Sequence, residues 1–308
     1  MRLKYAVIGT GAIGGYYGGK LARAGQDVHF LLHSDYDHVK ENGLRIDSTD
    51  GNFHIPDPNA YHKTADMPVC DVILVALKST NNALLKELLP PLLHKNTVVI
   101  LIQNGLGLEA DLQKDFPDLN IAGGLAFICS AKKGPGHIAH YDEGKINMGS
   151  YSCTDDSILK EVCSDFRNAG VKTNLLELET ARWMKLVWNI PYNGMTVVMN
   201  ATTDQLMNNP SMEGLLYELM LEVVRGANHV GKGRFTIPES YAKEILDMTR
   251  TMTPYSPSMK LDYDFKRPME IDYIYTRPII EALKAGYKMS KVEMLEKQLR
   301  YLEAQNRK

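Results

Sequence analysis

The first 175 residues alternate short β-branched apolar runs with longer segments whose apolar positions recur every three to four residues. That alternation is the pattern of βαβ units around a buried parallel sheet. Stretches 3–8, 27–32, 72–76, 97–101 and 121–127 predict strands, and between them lie three helices. One covers 13–24 and is closed by Gly25, one is opened by Ser79 or Thr80, and one covers 108–116 and is stopped by Pro117. A right-handed doubly wound sheet is the economical way to connect them. Segments 137–141 and 145–148, separated by the turn-like Asp142-Glu143-Gly144, predict an antiparallel hairpin at the end of the sheet. A helix over 155–169, capped by Gly170, and a last strand over 171–175 complete this half.

After about residue 176 the alternation gives way to long helix-period segments rich in Leu, Met, Glu and Lys, which marks a domain boundary: 1–176 and 177–308. Helices are expected over 180–200, 213–230, 238–251 and 270–285, with breaks at Asn208-Asn209-Pro210 and Gly231-Lys232-Gly233. The charged end, 291–308, reads as a solvated terminal helix.

Composition narrows the classes. With 308 residues, 44% apolar and 23% charged, the chain has the balance of a globular protein and enough length for about two domains. A formal charge of -2 supplies no basic field for a phosphate backbone, so nucleic acid is excluded as the main partner. No stretch approaches the ~20 apolar residues of a membrane span. The apolar run at 3–8 is too short for a signal peptide. Cys70, Cys129, Cys153 and Cys163 form no CxxC pair, as expected of free thiols in the cytoplasm.

The clearest motif is Gly9-Thr10-Gly11-Ala12-Ile13-Gly14, a G-x-G-x-x-G that follows a strand and opens an amphipathic helix. There Gly9 can make the tight turn, Gly11 can let a pyrophosphate approach, and Gly14 can let helix pack on strand. The helix N-terminus adds amide donors and a positive dipole. An NAD site ends its second strand with an acid for the ribose 2′-hydroxyl. Residues 28–34 offer none, which points to NADP. Asp35 and Asp37 come late and either lie on solvent or partly rescue NAD binding. Lys78, just past the strand 72–76, stands at the edge where a 2′-phosphate would lie.

In the segment 181–193, Lys185, Asn189 and Asn193 stand at i, i+4 and i+8, three polar heads on one face of an otherwise apolar helix. A buried ammonium needs partners, so this stripe is either a buried network or a ligand site. Pro191 removes one rung of the backbone ladder there. A second cluster holds Ser258 behind Pro257, and Glu270 near the start of the last long helix, where the dipole favours a carboxylate. Taken alone, those two residues read best as a capping serine and an N-terminal helix charge. His137, His140 and Asp142 lack a second cluster and read as structural, so no metal is expected.

Taken in order, these pieces resemble the ketopantoate reductase (2-dehydropantoate 2-reductase) family. The resemblance rests on 9–14, Ala76-Leu77-Lys78, Gln103-Asn104-Gly105, 183–189, 258–262 and Glu270-Ile271-Asp272-Tyr273, and it spans nearly the whole chain. It implies an α/β fold, an N-terminal Rossmann-like doubly wound sheet with a second, all-helical C-terminal domain, and a site in the cleft between them. The implied reaction is NADPH-dependent reduction of 2-dehydropantoate to (R)-pantoate, a step toward pantothenate and coenzyme A.

By the same resemblance Lys185 is the general acid and Asn104 sits where cofactor and substrate meet. Asn189 and Asn193 hold the substrate's hydroxyl end and Ser258 its carboxylate. Glu270 orders the lysine, the substrate or the nicotinamide ribose, Lys78 reaches the 2′-phosphate, and Ser130 touches the cofactor through its backbone. The family's arginine at the end of the second strand is matched here by His33. A further substrate asparagine is matched by Asn200 in type and by Thr203 in count. The expected partners are a small 2-oxo acid, neither nucleic acid nor membrane, and a second copy of the chain in a homodimer. Two other readings remain at this point: a reductase of another 2-oxo acid, and a non-catalytic NADP sensor on the same fold.

Overall fold

The computed structural model describes residues 2–306. Met1, at the head of the N-terminal run, and the last two residues of the helix expected over 291–308 lie outside the described residues. The chain divides into two compact units: Met1–Gln103 with Leu108–Leu178, and Asn104–Gly107 with Glu179–Lys308.

The first unit is built on a ten-stranded sheet. Its elements run β1 (Lys4–Ile8), α1 (Ala12–Arg23), β2 (Asp27–Leu31), α2 (Tyr36–Asn42), β3 (Leu44–Ser48), β4 (Phe53–Ile55), β5 (Asn59–Tyr61) and β6 (Val72–Val75). Then come a 3-10 turn (Ser79–Leu84), α3 (Leu85–Leu88), β7 (Val98–Leu101), α4 (Leu108–Asp115), β8 (Asn120–Gly134), β9 (His137–Ser150), α5 (Ser157–Asn168) and β10 (Thr173–Leu175). The strand order is β4-β3-β9-β8-β7-β6-β1-β2-β5, with β10 beside β9. Strands β5, β2, β1, β6, β7 and β8 pair in parallel. Their centre is fully buried, Val7, Ile8, Ile73, Leu74, Val99 and Ile100 included, which is why it reads as continuous apolar runs rather than alternation. From β1 the chain moves out to β2 and then returns to β6 on the other side. That reversal makes the carboxyl ends of β1 and β6 the switch point where such sheets bind ligands.

The expected hairpin is overturned. Residues 137–141 and 145–148 do not form a hairpin with each other; they belong to the single strand β9, which pairs antiparallel with the long β8. Asp142-Glu143-Gly144 is a bulge. Glu143 and Gly144 take φ of 64° and 112°, and the register slips from Phe127↔Lys145 to Ile128↔Glu143, leaving Gly144 unopposed. Two adjacent left-handed residues give the same sequence signal in a tight hairpin turn and in a bulge. The reversal itself comes earlier, at Pro135-Gly136.

Every regular element among the second unit's described residues is a helix: α6 (Leu178–Val198), α7 (Thr203–Met207), α8 (Pro210–Gly231), α9 (Ser240–Thr251), α10 (Ser258–Asp264), α11 (Arg277–Lys284) and α12 (Ser290–Asn306). Its core joins Trp183, Val187 and Ile190 of α6 to Leu216, Met220 and Val224 of α8 and to Val292 and Leu295 of α12. The breaks fall where the sequence punctuates. Asn209 caps α8 by accepting from the Ser211 and Met212 amides at 3.0 and 3.2 Å, with Pro210 in the first turn, and Lys232 ends it in a left-handed conformation. The segment expected as one helix from 270 onward instead passes through a π-helical turn (Asp272–Thr276) before α11. The buried Tyr275 in that turn donates to the Ile190 carbonyl at 2.9 Å, one residue before Pro191. Helix α6 continues through the proline.

Candidate active site

In the first unit the glycine loop joins β1 to α1 at the switch point. Gly9 has φ of 93°, and a Cβ there would lie 2.6 Å from the Leu77 amide nitrogen, so the turn and the close approach to the chain after β6 both demand glycine. At Gly14 a Cβ would collide with the Gly9 carbonyl, whereas at Gly11 nothing lies within 4 Å. Helix α1 opens at Gly11 with no side-chain cap and no acidic residue in its first turn. Open space at Gly11, uncapped amides and the helix dipole fit a pyrophosphate.

Thr10 donates to the Leu31 carbonyl at 2.8 Å, tying the loop to the end of β2. Gln103 donates to the Leu77 carbonyl at 2.8 Å and to Asn82 at 2.6 Å, which braces the segment carrying the half-buried Lys78. Ser130 lies on β8, its hydroxyl buried and without a hydrogen-bond partner.

The carboxylates after β2 are settled by their neighbours. Burial alone would raise the Asp35 carboxyl, but bonds from Lys132 at 2.7 Å, the Gly136 amide at 3.0 Å and Ser34 at 3.2 Å overcome it and hold the group below the usual carboxylate range. Asp35 is therefore a buried anchor for the β8–β9 turn rather than a ribose ligand. Asp37 lies exposed in the first turn of α2. His33 is exposed, its ring stacked with that of His62 at 6.2 Å between centroids.

In the second unit the stripe on α6 is half-buried at Lys185 and buried at its two asparagines. Asn189 and Asn193 are 5% and 2% exposed, and the Asn189 Nδ2 has no hydrogen-bond partner. A buried donor left open costs ~1–3 kcal/mol, so it marks either strain or a place for a ligand acceptor. Lys185, one turn earlier, has its ammonium pushed down to about 7: burial is the main cause, the Arg182 guanidinium adds to it, and Glu270 partly offsets both. Glu270 is 6% exposed and immediately precedes the helical segment that begins at Ile271.

Asn104 belongs to this unit as well, because the Leu106 amide donates to the Tyr273 carbonyl at 2.9 Å, three residues after Glu270. Ser258 is the first residue of α10. Buried Asp262 on the same helix accepts from the Arg267 side chain at 2.9 Å and, through its carbonyl, from the Arg267 amide at 2.8 Å, shaping the turn toward Glu270. Asn200 is exposed, with a left-handed φ of 49° at the end of α6. Thr203 is buried instead, its amide donating to the Tyr255 carbonyl and its hydroxyl accepting from the Tyr255 amide. The fold therefore favours position 203 over position 200 as the inner of the two.

Residues 5–152 match the family described as "Ketopantoate reductase PanE/ApbA", and residues 177–303 match its C-terminal counterpart. The chain belongs to the ketopantoate reductase family. It is 46% identical to a 2-dehydropantoate 2-reductase of Nostoc sp. strain PCC 7120 over 99% of this chain and 96% of that protein. The crystal structure of a 2-dehydropantoate 2-reductase from Geobacter metallireducens superposes with a TM-score of 0.93 at 37% identity, covering 97% of this chain and 99% of that one. A dimeric ketopantoate reductase from Staphylococcus aureus shares the fold, at 20% identity and a TM-score of 0.82 over 99% of this chain and 100% of that one.

Three residues of this ketopantoate reductase family member escape sequence reasoning and emerge from the structure. Arg182 sits one turn before Lys185, 3% exposed, and lowers its ammonium; its i−3 spacing was the available signal. Tyr255 reveals itself through its bonds to Thr203, 52 residues away. His62 stands beside His33 only because β5 pairs with β2. Among the described residues no group of three or more His, Cys, Asp or Glu side chains is placed to hold a metal ion, and no helix is long and apolar enough to cross a membrane.

Proposed function

We propose that this member of the family reduces 2-dehydropantoate to (R)-pantoate with NADPH, the dinucleotide lying on the first unit and Lys185 serving as the proton donor. The observation that carries the reading is the conjunction on one helix of a lysine whose ammonium is lowered to about 7 and, one turn on, a buried asparagine donor with no partner. NADPH, when bound, supplies hydride to the 2-carbonyl carbon of the substrate.

Lys185 then delivers a proton from Nζ to the ketone oxygen as negative charge develops there, so that C=O becomes CH–OH and the lysine is left neutral until solvent restores its proton. An acid that titrates near the working pH gives up its proton readily while remaining largely charged beforehand. Before transfer, the ammonium stabilises the developing alkoxide electrostatically. Glu270 holds that charge in place, and Arg182 keeps the lysine acidic.

Asn189 offers its open Nδ2 hydrogens to the substrate's hydroxyl, with Asn193 one turn further along the same face. Ser258 meets the carboxylate, and Asn104 aligns the ketone with the hydride donor. The loop Gly9, Thr10, Gly11, Ala12, Ile13 and Gly14 cradles the pyrophosphate, while His33 and Lys78 face the 2′-phosphate and Ser130 adds a cofactor contact. Residues 1–176 act as the dinucleotide domain and 177–308 as the substrate domain. A cytoplasmic location agrees with four unpaired cysteines, and a homodimer with the dimeric relative. These last assignments follow from the family and from the sequence.

The test is loss of nicotinamide absorbance with purified protein, NADPH or NADH, and 2-dehydropantoate beside a panel of other 2-oxo acids. Fast, selective oxidation of NADPH by 2-dehydropantoate is the expected result. Turnover only with another acid would replace the substrate and keep the mechanism. Tight NADPH binding with no turnover across the panel would refute the enzyme reading.

A further inference from the structure

We propose that His62 joins His33 in a two-imidazole site for the 2′-phosphate of NADP, so that a residue after β5, and not only the end of β2, decides between the phosphorylated and unphosphorylated dinucleotide. The inference rests on the NADP reading above and adds to it a residue from a distant part of the chain. Strand β5 lies parallel to β2 with Leu31 opposite Tyr61, and the Leu32 amide donates to the Tyr61 carbonyl at 2.9 Å. That register brings His33 and His62 out together at the carboxyl edge of adjacent strands, the edge at which the Gly9 loop also opens. Their rings stack at 6.2 Å with planes 22° apart, and the Tyr36 ring lies 5.4 Å from that of His62.

The chemistry of the pair is that of an anion site. Three imidazoles elsewhere in the chain come with a carboxylate, His29 with Asp27 at 3.0 Å, His94 with Asp71 at 3.1 Å and His137 with Asp47 at 2.8 Å, and three others are bonded by backbone carbonyls, His54 to Asn42, His140 to Asp142 and Glu143, and His229 to Arg225. Among the described residues no carboxylate pairs with the His33 or His62 ring. The nearest acid in sequence, Asp35, is buried and already bonded by Lys132 and Gly136. Two stacked imidazoles repel when charged, and a phosphate monoester, with close to two negative charges near neutrality and three acceptor oxygens, relieves that repulsion while accepting from both rings. A ribose 2′-hydroxyl offers no such gain. Both rings are exposed, so neither is required by the core.

The experiment measures equilibrium binding of NADPH and NADH to the full chain and to the His62→Ala and His33→Ala variants, by nicotinamide fluorescence. Competition by 2′-AMP against 5′-AMP isolates the phosphate. The expected result is that His62→Ala weakens NADPH about tenfold, the scale of one charge-assisted hydrogen bond. NADH should stay within about twofold, and 2′-AMP should lose its advantage over 5′-AMP. Unchanged NADPH affinity in His62→Ala, or equal weakening of NADPH and NADH, would overturn the inference while leaving the NADP reading in place. Equal affinity of the unsubstituted protein for both dinucleotides would refute that reading itself.

Discussion

Thr203 and Tyr255 hold each other by two hydrogen bonds: the Thr203 amide donates to the Tyr255 carbonyl at 3.1 Å, and the Tyr255 amide donates to the Thr203 hydroxyl at 3.2 Å. Tyr255 is three residues before Ser258, and Pro257 stiffens the link between them. The start of α7 is thus clamped to the segment that delivers Ser258. Of the two positions that the family resemblance offers for a further substrate asparagine, Asn200 by type and Thr203 by count, the second is a buried threonine whose polar atoms bond the Tyr255 backbone.

Removing only the hydroxyl tests that clamp. Thr203→Val keeps shape and volume, so the expected effect is a several-fold rise in KM for the 2-oxo acid, with kcat within about twofold and NADPH affinity unchanged, while Thr203→Ser stays close to the parent. Ser258→Ala should raise the same KM. If Ser258→Ala does so and Thr203→Val does not, the clamp does not position Ser258.

The lowered ammonium of Lys185 has a defined pH signature. Reduction needs its protonated form, so turnover should fall as pH rises through about 7, where the group loses its proton. Burial is the main cause of the shift, and Glu270 opposes it. Replacing Glu270 with Gln removes the opposing charge and should move the falling limb to lower pH. Lys185→Ala should lower kcat by about 10²-fold or more while leaving NADPH binding nearly intact. Stopped-flow single turnovers across pH 5–9 would read both, and a limb that stays in place in Glu270→Gln would refute the proposed coupling.

What was legible in the sequence was local. The β1–loop–α1 unit announces itself because its three glycines, its strand and its helix all fall within some twenty residues. The Lys185, Asn189, Asn193 face follows from helical periodicity alone. Residues 33–71 were not legible: β3, β4 and β5 are three to five residues long and carry Arg, Asp, His and Asn along the polar edge of the sheet, so no apolar run marks them. The bulge at Glu143-Gly144 was misread because its left-handed pair imitates a turn. The partners of Asp35 and Thr203 lie 97 and 52 residues away, a distance no local pattern encodes.

The Lys132–Asp35 pair should hold the β8–β9 turn in a pH-dependent way. Asp35 has a depressed native value, so its stabilisation is present above the ordinary carboxylate range and is lost as pH falls through the native value. Lys132→Met leaves a buried carboxylate short of one partner and should cost ~1–2 kcal/mol at pH 7, or a few degrees of Tm. The difference from the parent should shrink as pH falls through the native value and the carboxyl is protonated in both proteins. Urea unfolding at pH 7 and pH 3 measures it. A gap of the same size at both values would show that Lys132 acts through packing rather than through the Asp35 charge.

Asn189 sets stability against function most directly. Its Nδ2 is buried without a partner, so in the free protein the amide costs ~1–3 kcal/mol that a leucine of similar volume on the apolar face of α6 would not. Asn189→Leu should therefore leave Tm unchanged or raise it by a few degrees. The same change removes the donor that the proposed function assigns to the substrate's hydroxyl, and on that reading kcat/KM for 2-dehydropantoate should fall by about 10²-fold, the scale on which a site built to bond a hydroxyl loses selectivity when that bond is gone. Added pantoate should raise Tm of the parent and not of the variant. Thermal unfolding with and without pantoate, beside steady-state kinetics, separates the two possibilities. A variant that is less stable and equally active would mean that the amide is a structural group whose partner forms in solution. A variant that is as stable or more stable and poorly active would mean that the open donor is kept for the ligand.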